Sequence, residues 1–318
     1  MNEEIPFLDK DVSNALKGIA AVYIMIGHSI HLPYWKLGFF AFGGGYLFVG
    51  LFFFYSGYGL KRAVKTNKNY LKGFLVSKIA KIYAPFLIAE SSYAILKAFS
   101  CSEFSELLFE CIGIKLSNTI LWYVLEILAL YLLFYLFEKN KIADVAYCFV
   151  WIVFALFAAY TDMGSWWYVS TPCFILGIFV ADSENQVRKI KRNTLQKIVL
   201  CVSFLITDYL YRAVSEDNMG FWKIPSTYIG VSMMIISAVL FVLALMLIVE
   251  KSITHSRILK FLGKLSYLIY LWHGFFILLL SNHIKNEIML ALAVTGGTIA
   301  FSAFYYVMRS KLIKLKAK

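Results

Sequence analysis

Residues 224–249 read IPSTYIGVSMMIISAVLFVLALMLIV, and this stretch decides the fold. It carries no charged side chain, and as a helix rising about 1.5 Å per residue it is longer than the roughly 30 Å hydrocarbon core of a bilayer. Comparable runs recur on both sides of it. With the crossing at 226–249, the pattern predicts ten spans, the others at 15–34, 40–60, 80–99, 119–137, 142–160, 165–181, 196–212, 264–282 and 288–308. The whole chain is 60% hydrophobic over 318 residues, where a soluble domain sits at about 45–50%. A β-barrel would alternate polar and apolar residues in segments of about ten, and no such alternation is present. The expected fold is therefore all-α, a polytopic transmembrane helical bundle. Without a Pro-, Gly- or Ser-rich linker, a low-complexity tract or a fixed-period repeat, residues 1–318 read as a single membrane-embedded domain with no soluble appendage.

Charge gives the bundle a direction. The net charge is +12, yet 25 of the 31 basic residues fall on one side of the predicted spans. They flank the first span (Lys10, Lys17), fill the second connection (Lys61 to Lys81), and recur at Lys139 and Lys141, at 188–197, at 251–264 and in the tail. The opposite side keeps Lys36, Lys97, Lys115, Arg212, Lys223 and Lys285 beside several acids. The positive-inside rule then puts both termini in the cytoplasm. The basic charge reads as a topology signal with a secondary attraction to anionic membrane lipid, and nucleic acid is not an expected partner. The acidic start MNEEIPFLDKDV is unlike a cleavable signal peptide, so the first span is the expected targeting element. Cys148, Cys173 and Cys201 lie within spans as small hydrophobes; Cys101 and Cys111 share an outer loop, where a pairing is left open.

Ionisable groups inside spans are costly and are functional candidates by default. Those singled out are His28, Glu126, Asp208 and His273, with His31 and Arg212 nearer the outer boundary. Lys17 and His28 are eleven residues apart, about 20° from whole turns and roughly 16 Å along the axis, so they share one helix face. That stripe would suit a long ligand with an anionic head and a reactive far end, as in an acyl-coenzyme A. A snorkelling lysine and a histidine bonded to a neighbouring helix explain the pair equally simply. Lys78 and Lys81, three apart before Pro85, share a face and could meet a phosphate, or only anchor the helix. Glu126 could hold an imidazole in one tautomer, as the acid does in a hydrolase triad, or bond a serine or backbone group. Ser56 has no nucleophile elbow around it, and the small residues beside it suit close helix packing. His273 reads most simply as a packed structural histidine. Tyr34, Trp35, Trp166, Trp167 and Trp222 read as an interfacial belt before they read as sugar-stacking rings. No C-x-x-C, H-E-x-x-H or Walker-type motif occurs, so neither a metal nor nucleotide hydrolysis is expected.

Taken in order, these stretches resemble the acyltransferase-3 family of integral membrane acyltransferases, within the transmembrane acyltransferase superfamily. The carriers are Lys17 and His28 with ten residues between them, FFFYSGYGL at 52–60, and Lys78, Lys81 and Pro85. Leu121, Trp122 and Tyr123, CFILGIFVAD at 173–182 and LGKLSYLIYLWH at 262–273 follow. The chain departs from the family at its cations: Lys stands where Arg is usual at 17, 78 and 81. Charge is kept, but the bidentate fork that suits phosphate is lost.

The resemblance implies a plasma-membrane O-acyltransferase that moves an acyl group, most often acetyl, from cytoplasmic acetyl-coenzyme A to a hydroxyl of a cell-envelope or exported glycan or glycolipid. It implies that Lys17, Lys78 and Lys81 hold the donor's phosphates and that His28 acts as general base or transient acyl carrier, with Glu126 orienting it. Ser56, His31, Trp122 and His273 are expected to support the site or meet the acceptor. Association between copies of the chain is left open. Two other readings stand beside this one: a transporter or flippase for a lipid-linked sugar or small metabolite, with His28, Glu126 and His273 as a polar relay, and a catalytically dead partner in a polysaccharide-assembly machine.

Overall fold

The computed structural model describes residues 7–30, 44–101, 109–113, 115–215, 225–249, 253 and 256–316. Among them the regular structure is helical, with no strand. In chain order the α-helices are α1 (Lys10–Ser29), α2 (Gly45–Thr66), α3 (Phe74–Lys78), α4 (Ala84–Cys101), α5 (Trp122–Asn140) and α6 (Val145–Tyr160). They continue with α7 (Pro172–Asp182), α8 (Glu184–Arg192), α9 (Thr194–Ser215), α10 (Pro225–Ile248), α11 (Arg257–Leu280) and α12 (Glu287–Lys316). A π turn (Ile79–Tyr83) joins α3 to α4, and short 3₁₀ turns occupy Thr119–Leu121 and Ser165–Trp167.

Each of the ten apolar segments read from the sequence carries a helix. Six helical stretches among the described residues are long and apolar enough to cross a membrane. Glycines and tyrosines lower the hydropathy of α2, and the polar groups Lys10, Asp11, Asn14, Lys17 and His28 do the same for α1. The segment expected as a continuous span at 165–181 differs. Its α-helix begins only at Pro172, in the first turn where a proline is tolerated, and ends after eleven residues. Exposed apolar side chains mark the lipid-facing surfaces. Leu195, Ile198, Val202, Leu205 and Ile206 recur at helical spacing along one face of α9, a pattern expected where hydrocarbon is the solvent. The molecule is thus membrane-embedded and multi-pass.

The chain divides into two compact units that interleave along the sequence. One gathers Met1–Ser13, Tyr46–Lys72 and Leu136–His255; the other gathers Asn14–Gly45, Gly73–Tyr135 and Ser256–Lys318. In the first unit, α2 and α7 touch backbone to backbone. A side chain at Gly57 would collide with the Phe174 carbonyl, and one at Gly177 with the Phe54 carbonyl and, at 2.7 Å, with the Tyr58 amide. Small residues at a crossing permit this approach where hydrophobicity cannot drive it. The close-packing reading of the Ser56–Gly57 stretch is what the structure shows. Asp208, wholly buried, accepts from Arg212 Nε at 2.6 Å and Tyr46 Oη at 3.3 Å. Asp208 and Arg212 of α9 thus form a structural pair.

In the second unit α11 is the central helix, the most deeply buried of the six spanning candidates. Against α12 it packs antiparallel: Trp272 meets Phe301 at 4.6 Å between ring centroids, and Phe276 lies over Gly297. Against α4, Tyr93 Oη donates to the Leu271 carbonyl at 3.1 Å. Against α1 it runs parallel and very close. A side chain at Gly18 would meet the Leu259 carbonyl at 2.6 Å and the Gly263 amide at 2.9 Å, and one at Gly263 would collide with the Asn14 carbonyl.

Candidate active site

The crossing at Gly18 and Gly263 sets the register of α1 against α11, and the register sets the chemistry. His28 lies ten residues beyond Gly18, and His273 lies ten residues beyond Gly263. Ten residues are about 15 Å of helix, so two parallel helices in contact at the glycines carry their histidines to the same level. There His28 Nδ1 and His273 Nε2 are 2.8 Å apart. The ring centroids lie 5.1 Å apart with 15° between the planes, so the two imidazoles are nearly coplanar and joined edge to edge through that bond.

The remaining contacts assign the protons. His273 Nδ1 lies 2.7 Å from the Tyr270 carbonyl and 3.2 Å from that of Ile269. Carbonyls only accept, so Nδ1 of His273 carries its hydrogen and Nε2 of the neutral ring is an acceptor. His28 must then donate from Nδ1, which leaves the lone pair on His28 Nε2. The second-ring partner fixes both tautomer and orientation, as buried partners of functional histidines commonly do. His273 is 1% exposed, whereas the His28 ring is exposed. One histidine is a buried support; the other presents a basic nitrogen.

The wall behind His273 is polar and tightly held. Gly274 leaves space that a Cβ would fill against Tyr93 Oη at 2.7 Å and Asn118 Nδ2 at 2.9 Å. Tyr270 Oη donates to the Ile120 carbonyl, and Asn118 caps the 3₁₀ turn by accepting from the Ile120 amide at 3.0 Å. Glu90, wholly buried on α4, fixes the approach to that turn by accepting from the Ser117 amide and from Ser117 Oγ, the latter at 2.8 Å. The Ser117 carbonyl in turn accepts from Lys97 Nζ. Glu90 falls inside a predicted span and was absent from the ionisable groups singled out in the sequence.

The other candidates fall as follows. Lys17 is half-buried beside Gly18, on the same continuous helix as His28. Glu126 is 6% exposed on α5, one turn past Tyr123, whose ring meets Tyr270 edge-on at 5.4 Å. Trp122 packs edge-on against Tyr123. Ser56 belongs to the first unit, on α2. His31 lies outside the described residues, as do Tyr34, Trp35 and Trp222. Cys111 is a free thiol. Among the described residues no three His, Cys, Asp or Glu side chains gather as a metal site.

Lys78 and Lys81 do not share a regular helix face. Pro85 has no N–H to give, and its ring presses on the carbonyl four residues back. The helix answers with the π turn at Ile79–Tyr83, in which the Ala84 amide bonds the Ile79 carbonyl. Lys78 is half-buried, its Nζ 4.5 Å from the Tyr131 ring centroid and 5.1 Å from that of Phe74, while Lys81 is exposed.

The sequence reading left Glu126 between an imidazole and a serine or backbone partner, and His273 between packing and support of the site. The Nδ1 partner of His28 is His273, and the signal was present as equal Gly-to-His spacings, one inside the first predicted span and one that starts just before the ninth. No curated protein and no solved structure matches the chain. The family model described as an acyltransferase domain, Acyl_transf_3, matches residues 11–307, and the chain belongs to that family of membrane acyltransferases.

Proposed function

We propose that this acyltransferase is an O-acetyltransferase of the plasma membrane that takes its acyl group from cytoplasmic acetyl-coenzyme A and delivers it to a hydroxyl of an envelope or exported glycan. The observation that carries the reading is the paired histidines with the lone pair directed to His28 Nε2. That nitrogen takes the proton of the acceptor hydroxyl as its oxygen bonds the thioester carbonyl carbon. His273 Nε2 holds the Nδ1 hydrogen throughout and stabilises the imidazolium. When the C–S bond breaks, His28 returns the proton to the departing sulfur, leaving an ester and a free thiol.

Lys17, Lys78 and Lys81 are assigned to the donor's phosphates and Glu126 to tuning the histidine pair. We place both termini in the cytoplasm, with ten crossings, the segment 165–182 crossing as its 3₁₀ turn, an irregular stretch and α7 together. The shared ion cluster supports this topology, because the ends of α2, α5 and α7 and the start of α6 all meet at it.

The test is His28→Ala in cells, read as O-acetylation of the envelope glycans by NMR or mass spectrometry. A loss of about 10²–10⁴-fold is expected on removing a general base. Wild-type acetylation in that variant would overturn the mechanism.

A further inference from the structure

The π turn has a consequence for Arg309. In a regular α-helix the Ala80 carbonyl would accept from the Ala84 amide. Here that amide bonds Ile79 instead, and Pro85 has no hydrogen to offer. The Ala80 carbonyl is taken by Arg309 Nη2 from α12, at 3.1 Å. Two residues on, the Ile82 carbonyl accepts from Tyr267 Oη at 2.7 Å. The last two helices among the described residues thus grip the turn that carries Lys81, and the guanidinium is bonded to the backbone of the residue before that lysine.

One of its five N–H donors meets Ala80. Neither Arg309 nor Lys81 nor Lys78 has a carboxylate in salt-bridge contact among the described residues, and the groups against Lys78 Nζ are aromatic, Phe74 and Tyr131. Lys78 and Lys81 lie close enough to repel each other, and among the described residues no carboxylate offsets them or Arg309. Two of the three cations are lysines, compact charges without planar geometry. The third is a guanidinium, whose fork matches two phosphate oxygens at once.

We propose that Lys78, Lys81 and Arg309 form one phosphate-binding site in which Arg309 is the bidentate member, anchored by the carbonyl that the π turn releases. As a site for the donor's phosphates it rests on the function proposed above. The same chemistry would also hold the phosphate of an anionic lipid.

The experiment uses the full-length protein in nanodiscs, with Arg309→Gln, Arg309→Lys and Lys81→Ala. Glutamine can still donate to the Ala80 carbonyl but carries no charge, so unliganded thermal stability should stay at the wild-type value. Coenzyme A binding in neutral phosphatidylcholine discs is expected to weaken about tenfold in Arg309→Gln, on the scale of one lost charged hydrogen bond. Arg309→Lys should fall between. A second arm measures stabilisation on replacing part of the lipid by phosphatidylglycerol. If Arg309→Gln and Lys81→Ala both lose that stabilisation while coenzyme A binding is untouched, the site stands with lipid as its ligand and the assignment of the donor's phosphates fails. If Lys81→Ala weakens coenzyme A binding and Arg309→Gln changes neither arm, Arg309 is only a helix anchor and the proposal is overturned. It is equally overturned if no variant changes either arm.

Discussion

Two clusters of basic residues, one in each unit, have opposite surroundings. In the first unit Lys61 Nζ meets Glu138 at 2.8 Å, Asp144 at 2.8 Å and Asp182 at 3.6 Å. Arg62 meets Glu184 at 2.5 Å, Lys65 meets Asp182 at 3.2 Å, and Arg188 adds a looser contact to Glu184 at 3.5 Å. Four cations face four carboxylates. In the second unit Lys78 faces the rings of Phe74 and Tyr131, Arg309 bonds the Ala80 carbonyl and Lys81 is exposed. A positive-inside bias would make both sets basic but would not explain why one is neutralised. A matched cluster ties helix ends together, whereas an unmatched one keeps its field available for an anion. Counting basic residues cannot separate these roles; their partners can.

The largest effect expected from that contrast is on stability. Lys61 has 14% of its side chain exposed, with Glu138 and Asp144 at 15% and 17%. Lys61→Ala leaves their carboxylates facing each other without a counter-charge. Breaking a buried pair by removing one partner costs about 3–5 kcal/mol, and partial exposure reduces this to roughly 2 kcal/mol. Lys81→Ala removes an exposed cation with no acid partner among the described residues and should change stability by less than about 0.5 kcal/mol. Thermal unfolding of the two variants in the same detergent is the measurement. Equal losses would erase the distinction between a structural and a ligand-binding cluster.

The histidines offer a contrast of the same kind within one site, between a ring whose two nitrogens are both committed to the protein and the exposed ring it supports. His273→Leu removes the acceptor for His28 Nδ1 and frees the wrong tautomer, and losing such a supporting partner typically costs about 10–100-fold. The loss should fall on kcat, with the KM for the proposed donor, acetyl-coenzyme A, unchanged, because its phosphates are assigned in that proposal to other residues. His273→Gln places an amide oxygen near the position of Nε2 and should recover most of the rate. A His273→Gln variant as impaired as His273→Leu would reduce His273 to packing.

Much of the fold could be read from the sequence because its cause is local. Hydrocarbon demands apolar helices of a set length, and the runs at 224–249 and elsewhere declare themselves residue by residue. The break at Pro172 was hidden, because apolar residues on both sides of it kept the segment 165–181 uniform in hydropathy. The candidate site was half legible. His28 stood out as an imidazole inside a span, and α1 keeps Lys17 and His28 on one continuous helix. Its partner was not legible from charge logic, which favours a carboxylate such as Glu126. What joins His28 to His273 is a backbone contact between Gly18 and Gly263, and a glycine announces a crossing without saying which other glycine completes it. Arg309 was hidden for a further reason. Its place depends on a carbonyl released by the π turn, a consequence of Pro85 that appears only when the helix is built.

The smallest expected effect sharpens the comparison most. Arg188 lies on α8, four residues after Glu184, 35% exposed and 3.5 Å away. An i,i+4 helix pair with one half-exposed member is worth about 0.3–0.5 kcal/mol. Glu184 does not depend on it. Its carboxylate already accepts from Arg62 at 2.5 Å, from Tyr58 Oη at 2.7 Å and from the Phe7 amide at 3.0 Å. Arg188→Ala should therefore leave thermal stability within about 0.5 kcal/mol of wild type, four times less than Lys61→Ala. That ratio measures whether matching is local. If the exposed arginine proved as costly as the enclosed lysine, the cluster would be acting as one cooperative network, and the number of carboxylates beside a cation would no longer separate helix ties from anion sites.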